Sequence, residues 1–559
     1  MKPTDYSGYL AGRAKDFNPA WTISQVDETT YTARTPNQVP LTLTTPDNYT
    51  YVPENQYQST MLWYHSLAWL KVIATQYQDY EFINKALKDY YLFVFSDAYE
   101  ETLATLTSRD HLTAEQIRSL TYLLATEKVE EPWLCHQMLL KLTGWAMDSQ
   151  NVKNNNHGMM MMAALLHVPL FIDLDSPKEL RDYATRHLIN IVENAFDSSG
   201  LCRENSPIYH RFYITYLTRL IEELQFIFPA DAEADVTDTL KGILNRAERS
   251  IQEIALPDGT LPPFGDGNTS PAFYEIASGT SSFYSAESGF FCSKKGTEKQ
   301  KYFSIKSGYS SITHKHADDT SIFYWYNGKP IITDAGFFNY DWQDPRTLAV
   351  KTQLGHSGAF YRRYDHLYPA ALYPLNKEPR VRSNLSHIIE GNLNILTANS
   401  IVDDTYRVER TVRFSHLNNI LIEDKFSVKD ESAEKVVRFL INKDFGLQKT
   451  DTGLQVTGPD FTLDIIVKRS QNISYDSGVV DDDQPIKGWV TDRPFHTLKP
   501  CWIIEITPQA NSVLTNLILQ EHQPNDSQSQ TREESRKGNA FDELFKTSQM
   551  IQNITQFYS

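Results

Sequence analysis

Three short stretches of this chain combine residue types that can move protons or hold a metal. The first is Asn154-Asn155-Asn156-His157-Gly158, just ahead of an apolar helical run. Asparagine caps helices well, so a plain cap explains the run as readily as chemistry does. In the functional reading, Asn156 offers an amide donor and His157 an imidazole that can serve as acid or base. The second stretch is Arg203-Glu204-Asn205-Ser206-Pro207-Ile208-Tyr209-His210-Arg211. Ser206 followed by Pro207 reads as a helix start, and a helix N-terminus favours anions. Arg203, Glu204 and His210 are candidate binding groups there, and Tyr209 supplies a phenol. The third is His314-Lys315-His316-Ala317-Asp318-Asp319, followed by Asp334 in IITDAG and His356 in LGHSG. On a strand, His-x-His puts both imidazoles on one face, because side chains alternate with period two. Two imidazoles and a carboxylate (His316, Asp334 and His356) make a ligand set of the zinc type. The alternative is a surface His-x-His in an acidic strand.

The elements that must position these groups change character along the chain. Residues 1–57 read as an extended segment with short alternating runs, TYTART and LTLTT. From residue 58 to 270 the apolar period becomes helical. The spans are Phe82–Phe95, Ala114–Ala125, Pro132–Met147, Gly158–Leu170, Pro177–Ala195, Tyr209–Phe228 and Val236–Ile254. Thr113 with Gln116, and Ser176 with Pro177, read as helix starts. The loop PDGTLPPFGDGN then reads as a boundary. Residues 271–521 carry alternating β-branched and aromatic runs, with turns at Asn327–Gly328 and Asn418–Asn419, and predict an antiparallel sandwich. Residues 522–559 read as a polar linker followed by a helix over Phe541–Phe557.

Composition narrows the function classes. The net charge of −17 argues against nucleic-acid binding through the general surface. A local basic site remains open, with Arg203, Arg211, Lys315, Arg346 and Arg363 as its candidates. Four widely separated cysteines exclude a disulfide scaffold and any CxxC motif. No apolar run is long enough for a membrane span. The first residues show no signal peptide, so the expectation is cytoplasmic, or secreted or periplasmic if a leader has been removed. A homo-oligomer is left open.

Taken together, HKHADDTSIFYWYNGKPIITDAGFFNYD with Arg346 and His356 resembles the C-terminal domain of heparinase II/III-like polysaccharide lyases. The Asn-Asn-His-Gly and Glu-x-Ser-x-x-Tyr-His stretches are similar to motifs on the helical side of the same superfamily. That superfamily includes heparin, heparan and oligoalginate lyases. The weaker Gly-Trp…Pro pattern at Gly488–Pro500 also fits. Two departures stand out. His356 is followed by Ser357-Gly358 where the family has Asn-Thr, and the Arg-rich run before it is reduced to Arg346 and Lys351. The resemblance implies an incomplete (α/α) toroid followed by an antiparallel β-sandwich, with the site in the cleft between them. It implies a lyase acting on an anionic, uronic-acid-containing glycan of the glycosaminoglycan or alginate kind. It also implies one structural zinc on His316, Asp334 and His356.

The residues themselves suit such chemistry. β-Elimination needs the uronate carboxylate neutralised, the C5 proton removed and the leaving O4 protonated. Asn156, His157, Tyr209 and His314 can supply those functions, with Arg203, Glu204, His210, Lys315 and Arg346 as binding groups. Two other classes stay open. One is a toroid-type glycoside hydrolase using Glu204 and Asp266, and the other a non-catalytic glycan-binding or capsule-assembly protein.

Overall fold

A computed structural model describes residues 21–522, apart from 37–38, 51–57, 228–233, 269–278, 341–343, 363–371, 375–376, 429–432, 482–483 and 493–496. Arg363 and the predicted C-terminal linker and helix lie outside the described residues. The chain folds as two compact units. One is drawn from Met1–Ala195 and Thr215–Asn245, the other from Phe196–Ile214 and Arg246–Ser559.

The first unit is helical behind a three-stranded sheet of Thr22–Gln25, Thr30–Arg34 and Pro40–Thr44. Its helices form where the apolar spacing predicts. In Tyr80–Val94, Asp79 caps the start by accepting from Phe82 N at 3.0 Å. Phe82, Ile83, Ala86, Leu87, Tyr90, Phe93 and Val94 face inward at helical spacing. Burying a large apolar side chain of this kind contributes roughly 1.5–3 kcal/mol. Pro177–Ala195 matches its predicted span and buries Leu180, Ala184, Leu188 and Ile191. Thr113 does not start a helix. That helix is Arg109–Ala125, and Thr113 lies inside it, returning its hydroxyl to Arg109 O at 2.9 Å.

The second unit is a β-sandwich. An eight-stranded sheet begins with the meander Val381–Glu390, Leu393–Val402, Tyr406–His416 and Asn419–Ser427. It continues through Ser512–Glu521, Phe461–Lys468, Gly453–Thr457 and Gly446–Thr450. A nine-stranded sheet runs from Ser470–Ser477 through Trp502–Pro508, Glu434–Ile441, Lys329–Thr333, Ser321–Tyr326, Lys301–Lys306 and Phe290–Lys295 to Thr280–Ser285. Its remaining strand, Ala359–Arg362, pairs with Glu434–Ile441. Phe303, Ile305, Tyr324 and Ile504 from this sheet share one core with Leu396, Val412, Ile422 and Leu517 from the other. The Asn327–Gly328 turn is present with both residues at positive φ. The second turn falls at Leu417–Asn418, one residue before its predicted place, because His416 pairs with Asn419.

Lys301–Lys306 and Ser321–Tyr326 are buried along their whole length rather than on alternate residues. The reason is a second cover. Phe264 packs edge-on against Phe290 and Phe323, and Tyr302 donates to Ile254 O at 3.0 Å. The loop that the sequence marks as a boundary is therefore part of the β-rich unit's interior.

Candidate active site

A group of ionisable side chains gathers where the start of helix Pro207–Ile227, the loop around Asp266 and the loop before strand Ser321–Tyr326 meet. All of these belong to the second unit. The His-x-His segment is not on a strand, as the alternation suggested. It lies in that last loop, and His314 adopts φ 55°, a left-handed conformation that costs a non-glycine residue of order 1 kcal/mol or more. The pleat does not bring the two imidazoles together; Asp266 does. Its Oδ2 accepts from His314 Nδ1 at 2.7 Å, and its Oδ1 accepts from His316 Nε2 at 2.8 Å and from Lys351 Nζ. Local sequence explains how the loop gets there. Gly265 has φ +55°, and a Cβ there would lie 2.4 Å from Asn205 O and 3.0 Å from His314 O. Ser206 donates to Asp266 O at 3.0 Å.

Tyr209 lies over His314 with ring centroids 3.5 Å apart and planes 20° apart. Its hydroxyl pairs with that of Tyr340, a residue 43% exposed. Glu204 approaches His314 Nε2 at 3.4 Å and accepts from Tyr213 at 2.6 Å. Burial works against charge on His314, but Asp266 and then Glu204 outweigh it and raise its pKa above the ordinary 6.5. Burial works against the Asp266 charge too, and Lys351, His314 and His316 overcome it, holding the carboxylate well below its usual range. His316 has no such surplus: burial brings it down to about 4. Burial, then Tyr340 and Asp266, pushes the Tyr209 phenol well above 10, so it stays a proton donor at neutral pH.

The two carboxylates that a hydrolase would use both point at the same imidazole. His314 occupies the space between Glu204 and Asp266 that a hydrolase reserves for sugar and water.

In the first unit, Asn155 is the cap of helix Asn156–Leu165, accepting from His157 N and Gly158 N at 3.0 and 3.3 Å. Asn156 is buried at the first turn. His157 Nδ1 lies 3.5 Å from Asp110, and its ring lies 4.8 Å from that of His111. Gly158 is required because a Cβ would come within 1.9 Å of Lys153 O.

A family model, Heparinase II/III-like, C-terminal, matches residues 277–522. Residues 277–522 form a heparinase II/III-like C-terminal domain. Among solved structures, the chain is similar to a heparinase III gene product with methylated lysines, at 12% identity and TM-score 0.62, over 93% of this chain and 85% of that one. A second heparinase III structure matches at 12% identity and TM-score 0.63, over 86% and 80% of the two chains. The heparan sulfate lyase HepC from Pedobacter heparinus matches at 14% identity and TM-score 0.55, over 93% and 83%. At these identities the likeness is one of fold: a helical toroid followed by an antiparallel β-sandwich. No curated protein matches the chain in sequence.

Within the heparinase II/III-like domain the remaining predicted residues have definite places. Lys315 is fully buried on Asp318 and Asp319, with the Tyr309 and Tyr373 rings beside it, which fits a structural cation better than a ligand contact. Arg346 is half-exposed and forks onto Asp344 at 2.9 and 2.7 Å. Upstream of the domain, Arg203 pairs with Glu287 at 2.5 Å. His210 is locked inside, between Cys202 N at 3.4 Å and Ala247 O at 2.8 Å, and burial lowers it to about 4.

The zinc-type residues fit a metal at two positions. His316 gives Nε2–H to Asp266 and His356 gives Nδ1–H to Asp334 at 2.8 Å. That leaves His316 Nδ1 and His356 Nε2 buried with no hydrogen-bond partner, on rings 5.4 Å apart. Two imidazoles at about 2.0–2.1 Å from one tetrahedral ion have a similar spacing. Asp334 is turned onto His356, Gly336 N at 3.1 Å and Ser321 Oγ at 3.4 Å. Among the described residues no group of three His, Cys, Asp or Glu encloses an ion position. Arg410 steadies this region by donating to Thr320 O at 2.8 Å and Ser357 O at 3.0 Å.

Sequence reasoning did not give Lys351 or Tyr340 a role at the site, and gave Asp266 one only as half of a hydrolase pair. The available signals were Gly-Asp-Gly at 265–267 and the tyrosine in DAGFFNYD.

Proposed function

We propose that the protein is a polysaccharide lyase that cleaves a uronic-acid-containing anionic polysaccharide or oligosaccharide by β-elimination, leaving an unsaturated uronate. The observation that carries this reading is the Tyr209–His314 stack held by Asp266. A protonated imidazole beside a neutral phenol is the pair that elimination asks for. His314, whose charged form Asp266 and Glu204 favour, neutralises the C6 carboxylate and so acidifies C5–H. Its contact with Glu204 is long, and Glu204 keeps Tyr213, so the Nε2–H is the donor the substrate's carboxylate can claim. Tyr209 gives its proton to O4 as the C4–O4 bond breaks and the electron pair of C5–H becomes the C4=C5 double bond. Tyr340, hydrogen-bonded to the Tyr209 hydroxyl, orients that proton.

Asn156 and His157 enter the reading from the sequence resemblance, Asn156 as an amide donor to the carboxylate and His157 as the base for C5–H. Zinc, when bound, would be held by His316 and His356, with Asp334 orienting His356, and would brace the loop that carries His314. The test is a panel of uronans, including heparan sulfate and alginate, monitored by the ultraviolet absorbance of the unsaturated product. Absorbance that rises with new reducing ends supports the lyase. Reducing ends without absorbance mean a hydrolase, and binding without either means a glycan-binding protein.

A further inference from the structure

We propose that Asp266 is the positioning residue of this site: a single carboxylate that orients both His314 and His316, with Lys351 as its counter-ion. The proposal rests on the lyase reading only in taking His314 as a group that acts on substrate.

The argument starts from which nitrogens the carboxylate takes. A carboxylate only accepts, so each ring nitrogen facing it carries a hydrogen. Asp266 takes His314 by Nδ1 and His316 by Nε2. His314 therefore turns Nε2 away from Asp266, toward Glu204. His316 keeps its lone pair on Nδ1, the buried atom without a hydrogen-bond partner. One carboxylate thus presents opposite edges of two imidazoles that are two residues apart.

Asp266 is suited to this because it is itself fixed. It is 4% exposed, its carbonyl is held by Ser206, and Lys351 closes on Oδ1. Lys351 in turn lies under the rings of Phe337 and Tyr340 at 5.2 and 5.7 Å from their centroids. The chain Tyr340–Lys351–Asp266–His314–Tyr209 closes through the two tyrosine hydroxyls. The same carboxylate could have been a general acid or base on substrate. Three donors already occupy it, which leaves it the task of holding.

The experiment uses the full chain. Proton NMR of the wild type should show two low-field imidazole N–H resonances from hydrogen bonds to a carboxylate, one missing in His314→Gln and the other in His316→Gln. Asp266→Asn should move both. It should also lower kcat about 10–100-fold, the size typical of groups that orient active-site ligands, with KM nearly unchanged and the melting temperature kept. Wild type lacking both resonances, or Asp266→Asn with near wild-type kcat while His314→Gln is inactive, overturns the proposal. A parallel loss of kcat, KM and melting temperature overturns it in favour of a merely structural loop. Should Asp266→Asn not fold, the wild-type resonances decide. If wild type cleaves no uronan, the lyase reading fails separately, and the resonances still show whether Asp266 holds the two rings.

Discussion

The two units each present a histidine to solvent and secure it by different means. In the β-rich unit His314 is clamped by Asp266 and approached by Glu204, its backbone is left-handed, and its charge is favoured. In the helical unit His157 is placed by backbone: it sits in the first turn of a helix capped by Asn155, with Asp110 at 3.5 Å and His111 alongside. A ring held by ion pairs keeps a chosen protonation state. A ring placed by a helix start keeps a position. The first suits charge neutralisation and the second suits a base, which is how the proposed mechanism divides the work.

The sharpest break in that comparison comes from Tyr209. Tyr209→Phe keeps the ring on His314 and deletes only the hydroxyl. Turnover on a cleaved uronan should fall by at least about 10²–10⁴-fold, the range for general acid–base groups, with the melting temperature unchanged. Near-normal turnover in the folded variant would remove the acid role. Asn156→Ala comes next. If the amide works on the developing enolate, kcat should drop on the order of 10²-fold with a smaller change in KM. An effect on KM alone would make Asn156 a binding residue, or merely part of the helix start.

How much of this was legible in sequence depends on whether the signal was periodic. Helices such as Pro177–Ala195 and the strands of the sandwich appeared because apolar spacing writes them directly. The three motif stretches appeared because imidazole, phenol and amide are rare in such company. The His-x-His segment reads as strand from its sequence because alternation cannot tell a strand from a loop that runs into one. The full role of Asp266 was hidden, since a Gly-Asp-Gly loop reads as a turn until it is known which distant donors reach it: His314 is 48 residues away and Lys351 85. Lys315 reads as a binding cation because sequence does not show that its charge is already spent on Asp318 and Asp319.

Stability should follow the same contrast between ion-pair clamps and helix caps. Lys315→Met leaves Asp318 buried without its cation, while Asp319 retains Gly308 N and the Tyr373 hydroxyl. A loss of about 3–5 kcal/mol is expected, as for breaking a buried pair. The matching change in the helical unit is Lys153→Met. Lys153 is 46% exposed and Asp110 keeps His157, so no more than about 1 kcal/mol should be lost. Chemical denaturation of both variants measures the difference, and equal losses would mean that the two units are held alike.

Mild acid should separate the units more gently. In the helical unit His65 is fully buried, with neither ring nitrogen hydrogen-bonded, and burial lowers its pKa from 6.5 to about 3. A histidine that folds neutral gives its full stability above the unfolded value of 6.5 and loses it as pH falls toward the folded value. Between pH 6.5 and about pH 5 that loss is about 2 kcal/mol, at about 1.4 kcal/mol per unit. In the β-rich unit His210 and His316, both lowered to about 4 by burial, pull the same way, but His314 and His356 have raised values, and their contribution is present below 6.5 and fades as pH rises through the folded value. Acidification therefore weakens the helical unit while the second unit partly compensates. Hydrogen exchange at pH 7 and pH 5 should show faster opening around Gln58–His65 and its neighbour Tyr80–Val94 than in the sandwich strands. His65→Leu keeps comparable volume, packs against Phe93 in place of the stacked imidazole, and removes the titrating group. It should flatten the acid response of the helical unit and leave that of the sandwich as it was. An unchanged acid response in His65→Leu would place the sensitivity elsewhere in the helical unit, with His111, whose pKa is lowered to about 4, the next group to replace.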